Sequence, residues 1–472
     1  MYVLNYKTGI MRIRSSIIFT VLAIVLFGIN LTAQKLWTLE ECIEFAFENN
    51  IEIKQSILSV NSADRDVLQS KLGLAPSLNA NTSHSFGWGR SFDESANRYA
   101  SKNTQQTYFS VNSQVTLFNG LQLINNVRQK QFDYLAEKYN SDKIRNDMSL
   151  NVAAAYLRIL FTIELANNAQ RQVDISKEQI DRTSKQVEAG AVAQGALYDI
   201  QAQGASDDAN LVNAKNNVLL AYLDLMQLLD LESNTEFDID KPELDIIGTP
   251  TLLPADMIYN KSVMIMPEIK RAEYRLESAN KGLSIVKGMR SPRIYANGSY
   301  ATNFSDQIKQ SYIPGQPGYD IMIPFGDQFD QNRNGMLSLG LSIPIFNGYQ
   351  VSTNIKKSKI YYEAVNLELE SEKLMLRKNI ESAYADAIAA YQTFIARQKS
   401  VASFKESFKY TEEKFNVGMV NSTDYNVVKI QLANAESDLA SSKFDYIFKT
   451  KILDFYLGKS LSLGDIANVI EK

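Results

Sequence analysis

The chain carries one pattern twice, and this duplication limits its folds more than any other feature, because both copies must build the same supersecondary unit. At an offset of 216 residues, Glu52-Ile53-Lys54 falls on Glu268-Ile269-Lys270, Ser62-Ala63 on Ser278-Ala279, Lys71 on Lys287 and Pro76 on Pro292. At 228, Phe118-Asn119-Gly120 falls on Phe346-Asn347-Gly348, Asn151 on Asn379, Ala155-Tyr156 on Ala383-Tyr384 and Gly190 on Gly418. The offset grows by 12 between Pro292 and Phe346, so the second copy holds one insertion there.

Within each copy the hydrophobic period changes in the same order. Residues 51 to 75 have helical spacing, with Ile53, Leu58 and Val67 among the apolar positions. After the proline the period becomes two: Leu78, Ala80, Thr82, His84, Phe86 and Trp88 alternate with Asn79, Asn81, Ser83 and Ser85, which predicts a strand over 78–89. A second strand is expected over 106–118, with Phe109, Val111, Val115 and Leu117 on one face. The second copy predicts the pair 294–304 and 336–346, with Ile294, Ala296, Tyr300, Leu337, Leu339 and Leu341 alternating with Asn297, Ser299 and Ser338. Helical spacing returns at Val152, Ala155, Ile159 and Ile163 and at Ile380, Tyr384, Ala387, Tyr391 and Phe394, the seam of a coiled coil.

These periods divide the chain into a first repeat over 34–230, whose helical hairpin spans 120–229, and a second over 255–460, with its hairpin over 348–457. Residues 231–254 hold three of the ten prolines and read as a linker, and 461–472 as a C-terminal tail. Residues 1–33 read as a secretory signal peptide: Lys7, Arg12 and Arg14 precede an apolar run ending at Leu31-Thr32-Ala33, with Met11 an alternative start. The competing reading is a single-span anchor, but Gly28 and Asn30 interrupt a run already shorter than the roughly 20 residues a span needs. No later run reads as a membrane helix.

Composition excludes several functions. Forty-nine basic against 53 acidic residues leave no basic block, so nucleic acid is not an expected partner. One His and one Cys are too few for a zinc site or a Cys/His nucleophile pair; no grouping of paired acid, base and nucleophile stands out and His84 lies in a strand, so neither enzyme activity nor a cofactor is expected. Cys42 reads as a small buried residue. "DQNRNG" (330–335) begins like a calcium loop, but Leu341 stands where a bidentate Glu is needed, so a polar Asn-Gly turn is the better reading.

Four strands, polar on one face and apolar on the other, have the length of outer-membrane strands, roughly 9 to 11 residues. Four cannot close a barrel, whose smallest form has about eight strands, and hydrocarbon tolerates no open edge. Other copies of the chain are then required, and a homotrimer would supply a twelve-stranded barrel with an Asn/Ser/Gly lumen. Phe86, Trp88, Phe109, Phe118, Tyr300 and Phe346 are candidates for its aromatic belts.

The order of these features resembles the TolC family of outer-membrane efflux and secretion channels. The likeness rests on the duplication, the proline before each strand pair, the "LFNG" and "IFNG" junctions, and the glycine turns "QVEAGAVAQGALYDIQAQ" (186–203) and "KFNVGMVNSTDYNVVKIQL" (414–432). It implies a mainly α fold with β: a trimeric 12-stranded barrel continuing into a periplasmic α-helical barrel. The implied partners are outer-membrane lipid, a periplasmic adaptor (membrane-fusion) protein and an inner-membrane pump of RND or ABC type. The implied docking tips are Gly190, Val192, Gly418 and Val420. Asp424 matches the position of a ring of aspartates that narrows the tunnel mouth; the family's next aspartate is Val427 here, and in the first copy Ala196 takes the equivalent place with Asp199 nearby. At the junctions Phe118-Asn119-Gly120 and Phe346-Asn347-Gly348, each Asn is expected to cap a helix and each Gly to allow a bend. The alternative function is a structural or adhesive coiled-coil protein that uses the strands only as an anchor.

Overall fold

The computed structural model describes residues 36–93, 98–232, 236–242, 244, 252–311, 313–319 and 321–463. The signal peptide expected over 1–33, parts of the 231–254 segment and residues 464–472 of the tail lie outside them.

Helix lengths in the two copies match pair by pair. In the first, α1 (Leu39–Asn49) and α2 (Ile51–Leu72) have 11 and 22 residues, and so do α5 (Ala255–Ile265) and α6 (Pro267–Gly288) in the second. The long helices α3 (Gln122–Glu188) and α8 (Gln350–Asn416) have 67 residues each, and the returning α4 (Gln194–Leu228) and α9 (Ser422–Tyr456) have 35 each. A 67-residue helix spans roughly 100 Å. Nothing interrupts these helices, because no proline lies between Pro76 and Pro242 or after Pro344. Each long helix packs against its returning partner, and α6 lies between α3 and α8.

The copies differ at the strands. Before α3 come β2 (Ser77–Asp93) and β3 (Arg98–Phe118); before α8 come the shorter β5 (Arg293–Ser305) and β6 (Asn334–Ser342), joined by a connection that contains the short helix α7 (Phe325–Gln331). All four pair antiparallel in one sheet, in the order β2-β3-β5-β6. β2 and β3 run beyond the expected bounds at 89 and 106. β6 stops at Ser342 rather than 346, two residues before Pro344, which has no N–H to give a ladder. "DQNRNG" is also not a turn: Asp330 and Gln331 end α7, Asn332 caps it, and Asn334-Gly335 open β6. No cluster of three metal-binding side chains occurs among the described residues.

Two large cores and a small one near the tips hold the helices among the described residues. The first joins α1, α3 and α4 through Cys42, Ile43, Val152, Tyr156, Ile159 and Leu225, each burial contributing roughly 1.5–3 kcal/mol for a large side chain. Cys42 is fully buried there, as a small apolar residue. The second joins α5, α6 and α8 through Ile258, Ile269, Leu376 and Ile380. α3 does contain a window apolar enough by composition to cross a bilayer, unlike the sequence reading. Its apolar residues Val152, Tyr156 and Ile159 are instead spent on the first core.

Segments read as linker and tail also take part. Within 231–254, β4 (Asp238–Ile239) pairs in parallel with β1 (Leu36–Trp37), and the Tyr156 hydroxyl lies 3.1 Å from the Trp37 carbonyl and 2.7 Å from that of Asp240. In the tail, Leu461 and Leu463 are buried in the first core.

Candidate functional site

The sheet separates polar from apolar with little mixing. Cross-strand partners share a face, so the pairings Ala80↔Val111, Val111↔Tyr300 and Ala296↔Leu339 place the apolar sets of all four strands on one side. This face is unusually open: Leu78, Trp88, Leu337 and Leu339 are 74%, 81%, 84% and 75% exposed. A patch of this kind marks an interaction surface. The other face carries Asn79, Asn81, Ser110, Asn112, Asn297, Ser299 and Ser338. There Tyr295 lies over its direct partner Gly340, where an added Cβ would come within 2.2 Å of the ring. His84 lies on the apolar face, 2.8 Å from the hydroxyl of its partner Thr107. β2 and β6 are both edges, and among the described residues each has one unpaired side.

The turns from strand to helix use two successive left-handed residues: Gly120 and Leu121 at φ +67° and +62°, and Gly348 and Tyr349 at +60° and +66°. A non-glycine residue in this region costs about 1–2 kcal/mol, and Leu121 and Tyr349 carry that cost with exposed side chains. These extra residues correct the expected caps. Leu121 and Tyr349 occupy the N-cap positions, without side-chain caps. Asn119 reaches the Leu123 N–H only at 3.4 Å, and Asn347 accepts the Gln350 N–H through its backbone carbonyl. The two glycines also differ. A Cβ on Gly120 would lie 2.4 Å from the Gly288 carbonyl oxygen, while one on Gly348 meets nothing within 4 Å. Phe118 and Phe346 are both exposed.

At the far end, α3 and α8 stop in the same way. The Ala191 N–H returns to the Gln186 carbonyl and the Gly190 N–H to that of Val187; Met419 and Gly418 repeat this with Lys414 and Phe415. These are Schellman ends, with Gly190 and Gly418 at φ +72° and +77°. Val192 and Val420, named from the sequence, are half-buried, and the exposed apolar side chains at the second tip are Val417 and Met419. The structure brings Asp199 and Asp424 to one locality. Asp199 accepts from the Ser422 hydroxyl at 3.1 Å, and the Asp424 N–H donates to the Asn421 side chain at 2.8 Å in the first turn of α9. Both carboxylates are exposed, while the next residues, Ile200 and Tyr425, are buried with Phe415. Burial raises the Tyr425 phenol well above its ordinary pKa.

One polar cluster behind the tips has no sequence signal. Lys429 of α9 donates to Asp207 of α4 at 2.6 Å, to the Gln172 carbonyl of α3 at 3.2 Å and to the Ser176 hydroxyl. Asp207 also accepts from Ser176 at 2.5 Å and from Gln203 at 2.9 Å. The charged side chains are only 3% and 8% exposed, so a buried ion pair ties the two helical hairpins together.

Comparison with known proteins agrees with this geometry. The profile described as outer membrane efflux protein matches residues 42–230 and 262–458. Outer membrane protein TolC of Escherichia coli is 22% identical over 422 residues, covering 87% of this chain and 80% of that one. Nodulation protein T of Rhizobium leguminosarum is 22% identical over 416 residues, covering 86% and 78%. Among solved structures, CusC superposes with a TM-score of 0.74 at 17% identity, over 90% of this chain and 92% of that one. The outer membrane protein VceC of Vibrio cholerae gives 0.70 at 15%, over 90% and 97%. The chain is therefore a mostly helical outer-membrane protein with its long helices in the periplasm, and it belongs to the outer membrane efflux protein family.

Proposed function

We propose that three copies of the chain close into one duct, and the observation that carries this is the pair of unpaired sheet edges. Along β2-β3-β5-β6 each strand is antiparallel to the next, so β2 and β6 run in opposite senses. β6 of one copy can then pair with β2 of the next in the same antiparallel sense, a head-to-tail contact that closes a ring. Three copies give twelve strands, with the apolar face toward lipid and the Asn/Ser face around water. The helices bear a second signature of assembly: Leu219, Leu220 and Leu223 on α4 and Ile360, Leu367 and Leu374 on α8 are exposed.

On this reading the long helices form a periplasmic tunnel. Its tips at Gly190 and Gly418, with Val417 and Met419 alongside, dock an adaptor protein fed by an inner-membrane RND or ABC pump. Small molecules or polypeptides pass through to the exterior. Three Asp424 and three Asp199 carboxylates would crowd the mouth, where like charges attract cations. Native mass spectrometry of the detergent-extracted protein tests the assembly: three chains per particle are expected, and a monomer or dimer rejects the closed ring.

A further inference from the structure

The connection between β5 and β6 folds onto the apolar face of the sheet. Gln328 of α7, 1% exposed, accepts the Ser305 N–H at 2.9 Å and donates to the Ser305 and Ile323 carbonyls at 2.9 and 2.7 Å. The Thr302 hydroxyl donates to the Phe329 carbonyl at 2.7 Å, and the Asn332 amide to the Asn303 carbonyl at 2.8 Å. α7 is thus fastened to β5. Its phenylalanines meet two from the sheet: Phe329 lies 5.2 Å from Phe109, and Phe325 lies 5.2 Å from Phe304. Phe109 and Phe304 share the face of Leu78, Val111 and Leu339, yet Phe325 and Phe329 stay 47% and 38% exposed. Below α7 an apolar cleft of about 420 Å³ opens between Ala80, Val111, Tyr300 and Phe329, with Arg333 at its rim, already paired with Asp330.

We propose that α7 is a lipid-interface anchor: Phe325 and Phe329 lie at the outer-leaflet boundary, and the cleft below them takes an acyl chain of an outer-leaflet lipid. This rests on the barrel reading above. The height supports it: from Ile294 to Phe304 the strand rises about 33 Å, or about 25 Å along the membrane normal at a tilt near 40°, the height of an outer-membrane apolar band. The aromatic cluster therefore falls at the band's upper edge. A second copy does not cover it, because α7 sits on β3 and β5, the inner strands of the sheet, and neighbours meet at β2 and β6. Pairing of β3 with β5 ends at Gln106↔Ser305, so the outer parts of β2 and β3 continue past the lipid as a two-stranded ribbon.

Nitroxide labels on the full chain in phosphatidylethanolamine/phosphatidylglycerol vesicles test this. Phe325→Cys and Phe329→Cys each report on α7, so failure of one to fold leaves the other. Leu339→Cys, opposite Ala296, reports the half of the band nearer the long helices, Ser101→Cys the ribbon, and Cys42 is too buried to label. The ratio of collisions with oxygen to collisions with a water-soluble nickel chelate should exceed unity at 325, 329 and 339 and fall below it at 101. A ratio below unity at 325 and 329 with a lipid signature at 339 overturns the anchor and leaves the barrel standing. Exclusion of both reagents at 325 and 329 means protein covers the patch, and also overturns it. A water signature at 339 removes the barrel reading itself.

Discussion

Replacing Lys429 by Met removes one partner of the buried ion pair and leaves Asp207, 8% exposed, with only Ser176 and Gln203. Breaking a buried pair in this way costs roughly 3–5 kcal/mol. The loss falls on the tip half of the bundle, since Lys429 bonds from α9 to both α3 and α4 there. At about 1.4 kcal/mol per tenfold, it corresponds to roughly two to three and a half powers of ten in local opening. Hydrogen exchange should show that acceleration at amides around 203–211 and 425–433, with the first core near Tyr156 unchanged. Replacing both partners, Asp207→Leu with Lys429→Met, should recover most of the protection, because a buried apolar pair of similar size is neutral or better. Unchanged exchange in Lys429→Met, or a double variant as loose as the single, refutes the assignment of the pair as a tie between hairpins.

The strand-to-helix turns should respond unequally: Gly348→Ala pays only for its left-handed conformation, about 1–2 kcal/mol, while Gly120→Ala also drives a Cβ into the Gly288 backbone and should cost about 2–4 kcal/mol. Equal losses in thermal denaturation would contradict this. Glu268 is held above the ordinary carboxylate value of 4.5, chiefly by burial, with Asp147 and Glu372 adding to the rise and Lys143 opposing it. Its folded form favours the proton, so its contribution is full at low pH and is lost as pH rises through the folded pKa. Glu268→Gln should therefore raise the melting temperature at neutral pH and lose that advantage in acid; a constant difference across pH would refute it. Asp424→Ala should weaken block by multivalent cations in single-channel recordings, and unchanged block would remove Asp424 from the mouth.

Much of the fold was legible because its signals are periodic and repeated. The alternation around Val111 and Tyr300, the coiled-coil seam through Ile380 and Ala387, and the glycine stops at 190 and 418 each follow from spacing or from a φ that glycine favours. What escaped lacks such a signal. A two-residue strand at Asp238–Ile239 has no period, and the burial of Leu461 and Leu463 depends on a core built some 300 residues earlier. Asn119 and Asn347 look like caps, but a pair of left-handed residues places each helix start beyond them. Lys429 has no motif or spacing that marks it, and its partners on α3 and α4 are 222 to 257 residues away in the chain. α7 lies in the inserted segment, where no second copy exists for comparison.

The central claim is that identical chains join edge to edge around a water-filled lumen, and conductance of the purified protein in a planar lipid bilayer tests it most directly. Discrete, long-lived single-channel steps that Asp424→Ala alters only in their cation block are the predicted result. A particle that inserts stably yet passes no current would contradict it and favour an anchored, non-conducting coiled-coil protein.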